Sequence, residues 1–131
     1  MKKKYLIMLA AFMLALPGLA FAGYTVLGNV YVYNGSSYSY MDGSMNVRYN
    51  SSAGPAYIMS QEWSDGTVTF YGRDASQNIF FCYIPTTSSL FQRAQLAHYS
   101  MNASSYVYVY RTSSSNECTA FSYTSASYYL N

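Results

Sequence analysis

The stretch Tyr106-Val107-Tyr108-Val109-Tyr110 alternates aromatic and β-branched residues without a break. Successive side chains of an extended chain point to opposite faces, so this segment sets three tyrosines on one face of a sheet and two valines on the other. Val30-Tyr31-Val32-Tyr33 repeats the pattern and runs into Asn34-Gly35. That dipeptide is a strong hairpin signal, because both residues tolerate positive φ. The fold these two stretches imply is mainly β.

Outward from them, residues 38–41 read as the return strand of the hairpin, and Asp42-Gly43 as a further turn or bulge before a strand over 45–49. Residues 50–55, Asn-Ser-Ser-Ala-Gly-Pro, have loop composition. Strands are expected at 56–63 and 67–71, joined by Asp65-Gly66, with Val68 and Phe70 on one face and Thr67, Thr69 and Tyr71 on the other. Residues 72–78 form a polar turn. The segment 79–84 is apolar on both faces, as in a central or enclosed strand. One helix is expected: Ser89 and Gln92 fit a capping box, and Leu90, Ala94, Ala97 and Met101 recur at helical spacing with Phe91 and His98 beside them. Strands follow at 106–110 and 119–123, with a short terminal strand at Tyr128-Tyr129-Leu130. Strands closed by one helix suggest a small antiparallel OB-like barrel, or else a two-layer α+β sheet or an open sandwich.

Residues 1–22 have a different character. Three lysines precede an apolar run from Tyr5 to Leu16, and Pro17 to Ala22 ends in Ala-x-Ala. This is the grammar of a cleavable bacterial secretory signal. A spanning helix needs roughly 20 apolar residues, and Pro17 breaks this run too early for an uncleaved anchor. Residues 23–131 then form a single β-rich domain, secreted or periplasmic, with no membrane span after cleavage. In such a compartment the two cysteines, Cys82 and Cys118, are expected to form a disulfide that closes the domain.

Without the signal, four arginines (Arg48, Arg73, Arg93, Arg111) face five carboxylates (Asp42, Glu62, Asp65, Asp74, Glu117), a net charge of −1 with no lysine. Phosphate binding draws on clustered cations, so nucleic acid is not an expected partner, and attraction to anionic lipid fails for the same reason. Sixteen tyrosines with few charges also argue against disorder.

Metal sites need several ligands together, whereas the single histidine, His98, reads as a core-edge residue. There is no Gly-x-Ser-x-Gly elbow, phosphate loop or dinucleotide fingerprint, and no cofactor is implied. Asp65 and Asp74 read as turn formers and Glu62 as a strand residue facing water. A small hydrolase would have to use His98 with a serine or carboxylate.

What remains is a surface of phenols and hydroxyls. Aromatic faces stack on sugar rings while hydroxyls and amides bond the ring's own hydroxyls. Trp63, Tyr31, Tyr33 and the row Tyr106, Tyr108, Tyr110 are the candidates for glycan binding or for recognising an extracellular protein. The same alternation also fills the core and rim of ordinary β domains. Exposed Tyr/Val strands can pair edge to edge, so a homo-oligomer or a self-assembling envelope or matrix protein is a second expectation.

From Thr67 to Cys118 the order is a strand pair, a Cys-bearing strand (Ile79-Phe80-Phe81-Cys82-Tyr83-Ile84), a helix ending near Tyr99, an alternating strand and a second Cys. This order resembles the B subunits of A/B-type bacterial toxins of the subtilase-cytotoxin and pertussis-like group, and equally a group of small exported bacterial proteins without an assigned role. The toxin resemblance implies an OB barrel, a five-membered ring and binding of cell-surface glycans. Residues 23–66 do not match that group's sugar-binding segment, so no ligand residue is carried over.

Overall fold

A computed structural model describes residues 27–126. The expected signal at 1–22 and the terminal strand at 128–130 lie outside them. In chain order the elements are strands β1 (Val30–Asn34), β2 (Tyr38–Ser44), β3 (Tyr57–Glu62), β4 (Val68–Arg73) and β5 (Ile79–Ile84), helix α1 (Phe91–Ser100), and strands β6 (Ser105–Thr112) and β7 (Ala120–Ser125). Two antiparallel sheets result, one ordered β1-β2-β6-β7 and the other β3-β4-β5. The ladders of the described residues make two sheets and do not close into one barrel.

The valines set the core of the first sheet. Val107 and Val109 are fully buried, with Val30, Val32 and Met41 on the same inner face. The register aligns them, pairing Val32 with Met41 and Met41 with Val109. Val68, Phe70, Phe80, Cys82 and Ile84 line the inner face of the second sheet. The two inner faces meet: Phe70 stacks on Phe121 of β7 with ring centroids 5.0 Å apart. Gly72 permits a second close approach, since a Cβ there would lie 2.2 Å from the Met41 sulfur and 2.9 Å from the Tyr57 carbonyl oxygen. Helix α1 seats Ala94 and Ala97 in the core, with Leu90, Phe91 and Met101 packed at its margin.

Cys82 and Cys118 are bonded, with Cα atoms 5.2 Å apart. Beside the disulfide, the Tyr83 N–H donates to the Asn116 carbonyl and the Cys118 N–H donates to the Tyr83 carbonyl, each at 2.9 Å. A one-residue parallel bridge and a covalent bond therefore join the second sheet to the segment entering β7.

Several local expectations are corrected. The hairpin forms, but its turn does not use positive φ at Asn34 or Gly35. Gly35 is needed for space instead, because the Tyr33 ring folds to within 2.7 Å of where its Cβ would be. Asp42-Gly43 does not turn. β2 runs straight through it, with Gly43 packed against Val30 and Val107 opposite. The expected strand at 45–49 is replaced by two 3₁₀ turns, Val47–Tyr49 and Ser51–Ala53. The buried polar groups Asn46 and Asn50 draw the chain inward there: Asn46 accepts from the Ser44 hydroxyl, and Asn50 donates to the Gly28 carbonyl and Asn29 Oδ1. The helix is not capped by Ser89. Leu90 is the N-cap residue, and its N–H is taken by the Ser88 hydroxyl. β5 is enclosed on one face only, and Ile79 and Phe81 stand exposed on the other.

Reducing the disulfide, or replacing Cys82 and Cys118 by serine, should lower the unfolding free energy by about 4 kcal/mol, the loop-closure entropy of the unfolded chain. Urea unfolding with and without reductant measures this, and coincident curves would refute it. Gly72→Ala should destabilise by about 1–3 kcal/mol through overpacking, read as a lower urea midpoint at unchanged slope.

Candidate functional site: a tyrosine face ending in a groove

β-alternation puts seven tyrosines on the outer face of the first sheet: Tyr31 and Tyr33 from β1, Tyr38 and Tyr40 from β2, and Tyr106, Tyr108 and Tyr110 from β6. The register sets them side by side, pairing Tyr33 with Tyr40 and Tyr40 with Tyr110. Six of the rings, those of Tyr31, Tyr33, Tyr38, Tyr40, Tyr108 and Tyr110, pack as a continuous layer. Centroids lie 5.4 Å apart for Tyr33–Tyr40, 5.5 Å for Tyr38–Tyr110 and 5.8 Å for both Tyr31–Tyr40 and Tyr40–Tyr108. These separations fall in the favourable range for aromatic pairs. Tyr31, at 53 % exposure, and Tyr38 open to solvent at the edges of the layer, while Tyr40 and Tyr108 are half-buried.

One carboxylate stands in this layer. Asp42 lies opposite Tyr31 on one side and Tyr108 on the other, and its Oδ2 accepts a hydrogen bond from the Tyr106 hydroxyl. Desolvation raises the phenol pKa of Tyr40 and of Tyr108, with neighbouring tyrosines and then Asp42 adding to it. Both hydroxyls therefore hold their protons at neutral pH and can donate.

The layer ends in a groove of about 210 Å³ lined by Leu27, Asn29, Tyr31, Asp42, Ser44 and Tyr106, with Gly28 at its base. Two phenols, a carboxylate and an amide converge there, while the Ser44 hydroxyl is turned to Asn46. Of the residues expected from the sequence, Tyr31, Tyr33, Tyr106, Tyr108 and Tyr110 share this face. Trp63 does not join them. It follows β3, on the outer face of the other sheet, with its indole N–H donating to the Thr69 hydroxyl at 3.3 Å. Asp42 was missed because Asp-Gly reads as a turn. Its signal was present, since Asp42 continues the odd-even phase of Tyr38 and Tyr40.

His98 has a partner the sequence did not reveal. The Ser60 hydroxyl of β3 and His98 Nδ1 of α1 are 2.8 Å apart. Near them, Glu62 does not simply face water. Gln95 donates to its Oε1 at 3.0 Å, and hydrogen bonding from Tyr99, then from Gln95, lowers its pKa against desolvation. These contacts tie the helix to β3. Asp65 and Asp74 act as the expected turn formers: Asp65 accepts from the Thr67 N–H, and Asp74 from the N–H and side-chain amide of Asn78.

Among the described residues no group of three or more His, Cys, Asp or Glu is placed to hold a metal ion, and no helix is long and apolar enough to cross a membrane. Comparison with protein-family models, curated proteins and solved structures finds no match.

Tyr99→Phe should raise the Glu62 pKa toward the ordinary carboxylate value. A carboxylate depressed in the folded state contributes stability above its unfolded pKa and loses it as pH falls through the folded one. The wild type should therefore lose more stability on acidification than the variant. Carboxyl NMR titration of Glu62 checks the shift, and identical titrations would refute the Tyr99 contact.

Proposed function

We propose that this chain is an exported, non-catalytic binding module of OB-like shape that takes a glycan in the groove where the tyrosine layer ends. The observation that carries the reading is the convergence of Tyr31, Tyr106 and Asp42 on one concave site. Sugar recognition wants an aromatic face for the ring's C–H surface and fixed acceptors and donors for its hydroxyls. Asp42 supplies acceptors, Asn29 supplies a polar edge, and the packed tyrosine layer holds Tyr31 in place.

The OB-like shape is supported by two antiparallel sheets around one core, the helix seated on that core, and the β5 junction near Glu117. Export to the periplasm or beyond is supported by the basic-apolar start of the chain and by the disulfide. In this reading the Ser60–His98 pair is a tether between helix and sheet. A hydrolase would instead use Ser60 as nucleophile and His98 as base, and Ser60→Ala would then abolish an esterase activity.

Glycan-array screening of residues 23–131 tests the proposal. Asp42→Asn and Tyr106→Phe should each weaken binding about tenfold, roughly 1.4 kcal/mol, measured well below the melting temperature of each variant, because both also weaken the Tyr106–Asp42 hydrogen bond of the folded protein. An array silent across all classes would sink it.

A second reading, self-assembly, is favoured by one observation. The outer face of the β3-β4-β5 sheet exposes Ile79 at 50 %, Met59 at 42 % and Phe81 at 37 %. Light scattering separates the two: open-ended growth with concentration supports a matrix role, and a fixed mass excludes it.

A further inference from the structure

The residue that left the tyrosine face has a site of its own. Residues 63–67 turn tightly between β3 and β4. The Trp63 N–H donates to the Thr67 carbonyl at 2.9 Å and the Gly66 N–H to the Trp63 carbonyl at 2.8 Å. Gly66 takes φ +85°, which few other residues adopt, so the bend is fixed. The indole stands out from this turn at 53 % exposure and shields Thr69, which is nearly buried beside it. Its N–H is pinned by the Thr69 hydroxyl, which donates in turn to the Gln61 carbonyl at 3.3 Å.

Between Trp63 and the neighbouring strands lies a cleft of about 330 Å³, lined by Trp63, Asp65, Thr67, Thr69, Phe81 and Tyr83, with Ser64 at its rim. Small-molecule sites run from about 300 to 1,000 Å³, so one or two sugar rings match the lower end. The floor is rigid. Thr69 lies opposite Tyr83 in the β4–β5 ladder, and Tyr83 adjoins the disulfide and is bonded through both its backbone groups to the segment entering β7. A pre-formed aromatic wall loses little entropy when a ligand docks. Asp65 is the only charged group in the lining. One of its oxygens accepts from the Thr67 N–H, and among the described residues no cation lines the cleft beside it.

We propose that the Trp63 cleft is a second saccharide site, separate from the tyrosine face and selective for neutral over acidic sugars. The indole and Phe81 offer faces for the C–H surface of a pyranose. Asp65 accepts from two of its hydroxyls, and Thr67, Ser64 and Tyr83 complete the polar rim. A carboxylated sugar brings its charge against Asp65 with nothing to neutralise it. The ligand class follows from the glycan reading above, but the residues are entirely different, so each site stands or falls separately.

Trp63 is the only tryptophan of the chain, and its emission reports on this cleft alone. The oxidised residues 23–131 are titrated with galactose, glucose, mannose and N-acetylglucosamine oligomers, and with sialyllactose. At least one neutral sugar should shift Trp63 emission saturably with a Kd on the order of 1 mM, and sialyllactose should not. Asp65→Asn, which can still accept the Thr67 N–H, should reduce the preference for neutral over sialylated sugar. Tyr106→Phe should leave the response unchanged. No shift with any neutral sugar up to about 100 mM, a hundred times that Kd, overturns the proposal. Equal response to sialyllactose overturns it as well.

Discussion

The junction at Cys82 and Cys118 is the constraint on which the rest of the molecule depends. Two sheets that share no full ladder would otherwise be held together by side-chain packing across the core and by single bonds such as the Asn34 side chain donating to the Ile79 carbonyl. The disulfide fixes β5 to the segment that becomes β7, and the two backbone bonds at Tyr83 orient that segment as it arrives. Phe121 then reaches Phe70, and the Met41 side chain reaches the space left by Gly72. The loop so closed contains α1 and β6, so the helix and the central strand of the first sheet are confined by the same bond.

Each sheet has one face committed to the shared core, which leaves the two outer faces to differ. The first carries phenols packed ring on ring around a single carboxylate. The second carries Met59, Ile79 and Phe81, the stacked pair Tyr57–Tyr71, Tyr83, and a tryptophan held at a tight turn. The two candidate sites belong to these opposite faces, and neither borrows a residue from the other. Sparse charge makes both possible, because no lysine or arginine competes for the aromatic surfaces of either groove.

Much of this was legible in the alternation. The faces of β6 follow directly from Tyr106 to Tyr110, and the limits of β5 coincide with the apolar run 79–84. Ala94 and Ala97 were readable as the buried stripe of the one α-helix among the described residues. What local pattern could not supply was how neighbours compete. Asp42-Gly43 has turn chemistry, yet two flanking strands hold it extended. The 45–49 segment has strand composition, yet Ser44 and Asn50 bend it inward by satisfying buried polar groups. Trp63 and the tyrosines share a chemistry, and only the division of strands between sheets separates them. The Ser60–His98 contact joins residues 38 apart and leaves no periodic trace.

The pairing of β2 with β6 brings Tyr38 to Thr112, more than half the chain away. A polypeptide delivered from its N-terminus presents β1 and β2 early, but a lone two-stranded hairpin is at best marginally stable in water. The first sheet must therefore wait for nearly all of the chain, and its formation is a single late event. Cys82 waits in the same way. Because Cys118 is its sole possible partner within the chain, oxidation within it has no wrong pairing to correct and needs no reshuffling once the strands have met.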